Sequence, residues 1–188
     1  MLTRILAFLL ETIFFLLIGA ALLRAWMNWT RVNMSAQPGG FVMALSDWLV
    51  KPLRRALPSV WRKSRVDWAS LVAAALLALA YALLSVLLFG LLMGSMGSAG
   101  LAPFELLSLL LFALKTLIRI ALQTTMILLI GFAILSWIQP GSPADSLLGR
   151  LTEPLLSPLR RVIPSIGGVD LSALALILIL QIGLMLIG

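Results

Sequence analysis

The sequence contains no cysteine and no histidine among its 188 residues. Thiolate and imidazole nucleophiles, thiol or imidazole metal ligands and the usual general base at neutral pH are therefore absent. The carboxylates and serines that remain show no pairing at a spacing that suggests catalysis. We therefore predict a protein that is not an enzyme and that uses no cofactor and no metal ion.

Charged residues are also scarce, at 11% of the chain, whereas 62% of the residues are hydrophobic. Soluble domains are about 45–50% apolar and about 25% charged, so the composition predicts a membrane protein. The net charge of +7 is concentrated in two loops. It favours an anionic partner beside the bilayer, for which lipid headgroups are nearer than nucleic acid, and we expect no nucleic-acid partner.

A stretch of fourteen residues occurs twice, at 46–59 and again at 152–165, with seven identical positions and five conservative replacements. Each copy follows a long apolar stretch and precedes an aspartate and a further apolar stretch. The pattern predicts one membrane domain, 1–188, built from two tandem repeats in the same orientation. Repeat one is 1–93, a flexible connection is 94–103, and repeat two is 104–188.

Four apolar stretches predict an all-α membrane protein with four transmembrane helices, since about 20 residues cross a bilayer. They are 5–23, 69–93, 120–138 and 171–187. Residues 41–51 predict a short interfacial amphipathic helix. Residues 104–119 predict another amphipathic helix, which either lies in the interface or lines the bundle.

Eleven of the fourteen basic residues lie in the loops 24–68 and 139–170. The positive-inside rule then predicts cytoplasmic repeat loops and two external termini, in a multi-pass protein of the bacterial inner membrane. All six tryptophans lie in or beside these loops, as a one-sided aromatic anchor. They are Trp26, Trp29, Trp48, Trp61, Trp68 and Trp137.

Each repeated loop contains two arginines framed by prolines. We predict a short rigid turn that presents the arginines, with Ser157 as the N-cap of the second copy and with Leu53 and Leu159 facing the membrane. Arginine pairs bidentately with phosphate, so the turns are candidate sites for anionic lipid or for a membrane-protein partner. The alternative is that the arginines only set topology. The candidate residues are Pro52, Arg54, Arg55, Pro58, Pro158, Arg160, Arg161 and Pro164.

Three aspartate or glutamate positions near or within spans invite two interpretations each. Asp67 and Asp170, at the starts of the second and fourth spans, are either N-caps or a pair that holds a cation. Glu11 lies inside the first span, where an unpaired acid costs a few kcal/mol. It either forms a structural ion pair or belongs to an ion path. Its candidate partners are Arg4, two turns away on the same face, and Lys115 or Arg119 from the second half, which with Glu11 form a possible intramembrane polar site.

The chain resembles the YggT family of bacterial and plastid integral membrane proteins. The resemblance rests on Ser136-Trp137, the segment 153–164 and Asp170 in the second half, and on Arg24-Ala25-Trp26, the segment 47–58 and Asp67 in the first. Trp48 stands where the family pattern usually has proline. The resemblance implies a multi-pass protein, with links in different lineages to osmotic or ion tolerance, cell-division neighbourhoods and plastid complex assembly, and with no catalytic residue to carry over.

These observations together predict a non-enzymatic membrane adaptor or organiser. Its cytoplasmic Pro-Leu-Arg-Arg loops would bind anionic phospholipid headgroups or a membrane-protein partner, and an oligomer is compatible with the sequence. The alternative function is a channel or transport accessory linked to ion or osmotic tolerance.

Overall fold

A computed structural model of the chain describes residues 1–32, 39–56, 66–93, 103–161 and 170–187. The regular structure in these ranges is entirely α-helical, which confirms the predicted all-α class for this part of the chain. The described helices are α1 (Leu2–Trp29), α2 (Gly39–Ala56), α3 (Trp68–Met93), α4 (Pro103–Ile138), α5 (Pro143–Arg160) and α6 (Leu171–Ile187). Each half of the chain therefore has the same order: a long apolar helix, an amphipathic helix and a second apolar helix.

Three of the described helices are long and apolar enough to cross a membrane, over Leu2–Trp29, Trp68–Leu88 and Leu106–Ile138. α6 is apolar but has only 17 residues, or about 25 Å at about 1.5 Å per residue. The hydrocarbon core of a bilayer is about 30 Å thick. Length and composition thus support three of the four predicted spans, whereas α6 meets the requirement for composition alone.

Residues 104–138, predicted as an amphipathic helix followed by a span, belong to one helix, α4, of 36 residues. At about 1.5 Å per residue it is about 54 Å long, so it exceeds the thickness of a bilayer core. Its polar side chains Lys115, Thr116 and Arg119 line a cavity shared with α1. The polar face of α4 therefore lines the bundle, which is one of the two predicted arrangements.

The predicted proline-framed turns are wrong for the described residues, since Pro52 lies inside α2 and Pro158 inside α5. The N-cap of α5 is Ser142, whose hydroxyl accepts a hydrogen bond from the Asp145 amide at 3.1 Å, and not Ser157. Proline removes one backbone donor from a helix interior. Here the apolar face of each helix continues past the proline and packs on the bundle, which offsets that loss. Pro58, Pro164 and the connection 94–103, apart from Pro103 at the start of α4, lie outside the described residues.

Leu53 and Leu159 also depart from the prediction that they face the membrane. Both are half-buried, and they pack against the apolar cores of the first and second halves respectively. The amphipathic helices α2 and α5 thus turn these leucines inward, and the arginines that follow lie at the ends of the two helices.

Small residues allow α1 and α3 to pack closely in the first half. Alanines recur on one face of α3 and are buried against α1. They are Ala69, Ala73, Ala74, Ala78 and Ala82. Small side chains let helix backbones approach when lipid, rather than water, surrounds a bundle. In the second half, Leu129, Leu156 and Leu176 form an equivalent core among α4, α5 and α6.

The two halves meet along α4, which packs against α3 and crosses α1. Gly19 lies opposite Thr124, and a Cβ placed on Gly19 would stand 3.2 Å from the Thr124 hydroxyl oxygen. The indole N–H of Trp26 donates a hydrogen bond across the same boundary to the Leu151 carbonyl oxygen at 2.9 Å. A Cβ at position 19 would therefore press on the Thr124 hydroxyl, and a long-range hydrogen bond joins α1 to α5.

Candidate functional site

In the first half, the first arginine of the repeated motif binds the aspartate that begins the next apolar helix. Arg54 donates from Nη2 to Asp67 Oδ2 at 2.6 Å, across 13 residues of sequence. The Asp67 side chain is only 4% exposed. It also accepts the Ser70 hydroxyl at 2.9 Å and lies near the Ser70 amide at the start of α3. Asp67 is thus an N-cap and an ion-pair partner at once.

The second half repeats this contact. Arg160 donates to Asp170 Oδ2 from Nε at 2.9 Å and from Nη2 at 2.7 Å. Its Nη1 donates to Glu153 at 2.7 Å. Asp170 also accepts the Ser172 hydroxyl and, at 3.0 Å, the Ser172 amide. We call Arg54–Asp67 and Arg160–Asp170 the two loop clamps, because each joins an amphipathic helix to the following apolar helix.

The electrostatics of Asp170 follow from these partners. Partial burial raises the pKa of Asp170, but the Ser172 hydroxyl and the Arg160 guanidinium outweigh it, so the pKa lies below its ordinary value. A hydrogen bond from Lys51, together with the Arg24 guanidinium, likewise lowers the pKa of Asp47 despite some desolvation. Both carboxylates are therefore held ionised by contacts that exist in the folded protein.

An additional ion-pair cluster occurs in the first half. Arg24 is 5% exposed, and its Nη1 donates to Ser46 Oγ at 2.9 Å and to Asp47 Oδ1 at 2.8 Å. Lys51 completes the cluster through Asp47 at 2.7 Å. Sequence reasoning counted Arg24 as part of the basic loop and missed this role. Its position at the end of an apolar helix, beside Trp26, was the available signal.

The second arginine of each motif has a different environment. Arg55 and Arg161 are exposed, and no ion pair or hydrogen bond joins either side chain to another described residue. Pro52 and Pro158 are exposed beside them. The structure thus divides the motif, since the first arginine is engaged in a loop clamp and the second is directed to the surroundings.

The predicted intramembrane polar residues come together in a cavity of about 220 Å³. Glu11 Oε1 lies 3.6 Å from Arg119 Nη2, and both side chains are about half exposed. Lys115, from the preceding turn of α4, lines the same cavity, as does Tyr81 of α3. An aromatic wall of Phe14, Tyr81 and Phe112 flanks these charges, with ring centroids 5.6 and 6.1 Å apart.

A second cavity, of about 370 Å³, lies between the two halves, and sequence reasoning gave no indication of it. We call it the inter-repeat cavity. Its walls come from α1, from the start of α3, from α4 and from α5, and they include Trp26, Trp29, Val66, Leu128 and Leu155. No local pattern predicts such a space, because it arises from helices that are far apart in sequence.

Breaking a loop clamp should reduce stability while leaving the exposed arginines unaffected. We expect Arg54→Gln and Arg160→Gln each to lower the free energy of unfolding by about 1.5–3 kcal/mol, because each leaves a partly or fully buried carboxylate without its charged donor. Thermal unfolding of the detergent-solubilised protein measures this. Arg55→Gln and Arg161→Gln are the matched controls and should unfold as the parent does; equal losses in both sets would contradict the division of roles.

Acid should weaken the loop contacts. The ordinary pKa of an aspartate is 3.8, and the folded values of Asp47 and Asp170 lie below it. The two ionised aspartates contribute fully to the stability of the folded protein when the pH is above the pKa of an unfolded aspartate. That contribution is lost as the pH falls through their pKa in the folded protein, because the unfolded chain takes up the protons first. Unfolding temperatures at about pH 7 and about pH 3 should therefore differ, and Asp170→Asn should reduce that difference. A pH-independent unfolding temperature would exclude these contributions.

The comparisons with known proteins agree with this architecture. The CCB3/YggT family model matches residues 3–88 and 111–188, which is consistent with two repeats. An uncharacterized protein of Vibrio alginolyticus, encoded in the proC 3' region, is 35% identical over 97% of this chain and 92% of its own length. YggT of Escherichia coli K12 is 34% identical over 94% of this chain and 86% of its own. The uncharacterized protein PA0392 of Pseudomonas aeruginosa is 31% identical, over 93% and 84%.

No solved structure matches the chain. The family model covers both halves, and the residues that form the loop clamps fall within the two matched segments. On these grounds the chain belongs to the CCB3/YggT family.

Proposed function

We propose that this protein is a non-enzymatic, multi-pass protein of the bacterial inner membrane that binds anionic phospholipid headgroups through Arg55 and Arg161. The observation that carries the proposal is the separation of roles within each motif. The first arginine closes a loop clamp, and the clamp holds the helix end from which the second arginine extends. A planar guanidinium on a fixed backbone is suited to bidentate contact with phosphate.

The membrane arrangement belongs to the same proposal. We place α1, α3, α4 and α6 across the bilayer, with α6 as the counterpart of α3 despite its shorter length. Large apolar side chains face outward from these helices, among them Phe8 at 66% and Leu178 at 65% exposure. The basic residues of the two loops then favour a cytoplasmic position for the arginines and external termini.

Two equivalent helices support paired binding. α2 and α5 occupy the same place in the helix order of their halves, with Arg55 in the last turn of α2 and Arg161 directly after α5. Other basic side chains, Arg31, Lys51 and Arg150, are exposed in the same two loop regions. Each charge near an anionic leaflet contributes about 1 kcal/mol, so this surface attracts headgroups before any specific contact forms.

The carboxylates in the loops already form ion pairs or hydrogen bonds, and this supports a role without catalysis. Asp47, Asp67, Glu153 and Asp170 each contact a basic side chain. Asp145 accepts the Gly141 amide at 2.9 Å. Within the described residues these groups stabilise loops and helix starts, and an additional role as acid or base would require breaking those contacts.

The decisive variant is Arg55→Gln with Arg161→Gln. We expect it to lose about tenfold in phosphatidylglycerol retention per arginine, equivalent to about 1.4 kcal/mol each, with little loss of thermal stability. Retained lipid is measured by native mass spectrometry after exchange into mixed phosphatidylglycerol and phosphatidylcholine. The matched control, Arg31→Gln with Arg150→Gln, removes the same charge from the same loops and should retain the lipid.

Replacement of both arginines by lysine provides a second comparison. The lysine variant keeps the number of positive charges, so insertion and an external C-terminal reporter should be unchanged, whereas headgroup retention should fall because lysine lacks the planar fork. Undiminished retention in the glutamine variant would refute the lipid role. If the glutamine variant keeps its lipid but loses a co-purified protein, the two arginines bind a membrane-protein partner rather than lipid.

The cavity that contains Glu11 favours a second candidate function, a channel or transport accessory. It places an acid, Glu11, and two bases, Lys115 and Arg119, within helices of the proposed bundle. Ionisable groups at membrane depth are costly and often line ion or proton paths.

Under this second role, the reconstituted protein should produce ion flux in liposomes, and Glu11→Leu should abolish that flux. Gln181→Leu is the control, since Gln181 is an exposed polar residue of α6 that does not line the cavity. Liposomes loaded with a potassium- or pH-sensitive dye report the flux. The absence of flux from the parent protein would eliminate the transport role and leave the lipid role unaffected.

A further inference from the structure

We propose that the inter-repeat cavity binds one acyl chain of a phospholipid from the leaflet that faces the loops. The cavity is distinct from the arginine surface, and the proposal requires a hydrocarbon chain rather than a particular headgroup. Acyl-chain binding in the cavity can therefore be tested independently of headgroup recognition by Arg55 and Arg161.

The position of the cavity matches the outer part of one leaflet. Trp29, the last residue of α1, and Val66, just before α3, lie at the end where the loops begin. Leu22 lies seven residues deeper along α1, or about 10 Å at about 1.5 Å per residue. On α4, Ala121 and Leu128 line a comparable length of wall. The cavity thus extends inward from the loop end of the bundle, parallel to the spans.

The walls are suited to hydrocarbon and poorly suited to water. They consist mainly of leucine, alanine, valine and tryptophan side chains. The hydroxyls of Thr125 and Thr152 donate to carbonyls of their own helices at 2.8 and 2.9 Å. A water molecule needs two to four polar partners in a cavity, and these walls leave too few groups to supply them.

Thr124 adds a single polar feature to an otherwise apolar wall. Its hydroxyl oxygen is buried and has no hydrogen-bond partner among the described residues. One isolated, buried hydroxyl that lies opposite Gly19 cannot hold a water cluster. The balance of groups therefore favours a hydrocarbon chain.

An empty space of about 370 Å³ would leave its walls without partner atoms and so forfeit their dispersion contacts. Within a bilayer, the apolar material available at this depth is the lipid tail, which is as apolar as leucine. Trp29 is 47% exposed at the loop end, where an indole suits the boundary between headgroups and chains. Its ring lies 5.0 Å from that of Trp26, so two indoles flank the proposed entrance.

Trp26 supplies a direct probe of the occupant. It lines the cavity, and its indole is held by the Leu151 carbonyl. In a protein whose other tryptophans are replaced by phenylalanine, its fluorescence reports contact with bromine atoms carried on acyl chains. The probe lipid is phosphatidylcholine brominated on one chain near the ester, compared with the same lipid without bromine. A neutral headgroup keeps this measurement separate from the arginine surface.

We expect the brominated lipid to quench Trp26, and filling the cavity by Ala121→Phe to reduce that quenching at least twofold. Thr125→Phe fills the same wall and serves if Ala121→Phe does not fold. The matched control, Ile134→Phe, adds a ring to a half-exposed position of α4 that does not line the cavity, and it should leave the quenching unchanged. A protein that retains only Trp137, which is 69% exposed, reports contact with bulk lipid and should not respond to Ala121→Phe.

Two outcomes would overturn the proposal. If the brominated lipid does not quench the fluorescence of Trp26, no acyl chain reaches the cavity. Equal quenching with the cavity open and filled would show that Trp26 contacts only bulk lipid. Arg55→Gln with Arg161→Gln should leave the Trp26 signal unchanged even where it abolishes headgroup preference, so failure of either proposal is distinguishable from failure of the other.

Discussion

The contact between an arginine at the end of an amphipathic helix and an aspartate at the start of the next apolar helix determines how each half is assembled. The carboxylate is close to helix backbone amides and, at Asp67, is almost fully buried. Such a charge requires a strong donor, and arginine supplies it while remaining ionised. Because the arginine belongs to α2 or α5, satisfying the aspartate also orients the amphipathic helix. The direction of the adjacent arginine, and hence the basic surface, follows from that orientation.

The two halves share this contact but differ elsewhere. Arg24, which joins α1 to α2 through Ser46 and Asp47, has Leu135 as its counterpart. Glu153, the counterpart of Asp47, contacts Arg160 instead. Glu11, paired with Arg119, has Leu122 as its counterpart. The duplicated frame thus supports two different polar arrangements, one for the loop of the first half and one between α1 and α4.

The sequence alone predicts the parts of this structure that depend on local pattern. Long apolar runs gave the positions of α3 and α6 to within one residue and that of α1 to within six, because the cost of exposing backbone and burying charge acts along a continuous segment. The clamps were not predicted, although all four residues were singled out, because Arg54 and Asp67 are separated by a loop whose path no local rule specifies. The interior prolines were misjudged for a related reason. A proline rule describes one hydrogen bond, whereas α5 gains its stability from an apolar face that includes Leu151 and Leu156. The inter-repeat cavity is formed by helices far apart in sequence and was missed.

The crossing at Gly19 has a mechanical consequence. Leu23, Thr124 and Leu128 line both the inter-repeat cavity and a neighbouring cavity of about 290 Å³, in which Gly19 also takes part. Buried apolar packing also crosses this boundary, since one core cluster joins Ala73 to Ile120 and another joins Met27 to Leu151. A close-packed interior resists compression, and a region with voids resists it less. The unfilled volume beside Gly19 is therefore where α1 and α4 have room to adjust, whereas the clusters that cross the boundary elsewhere hold the two halves together.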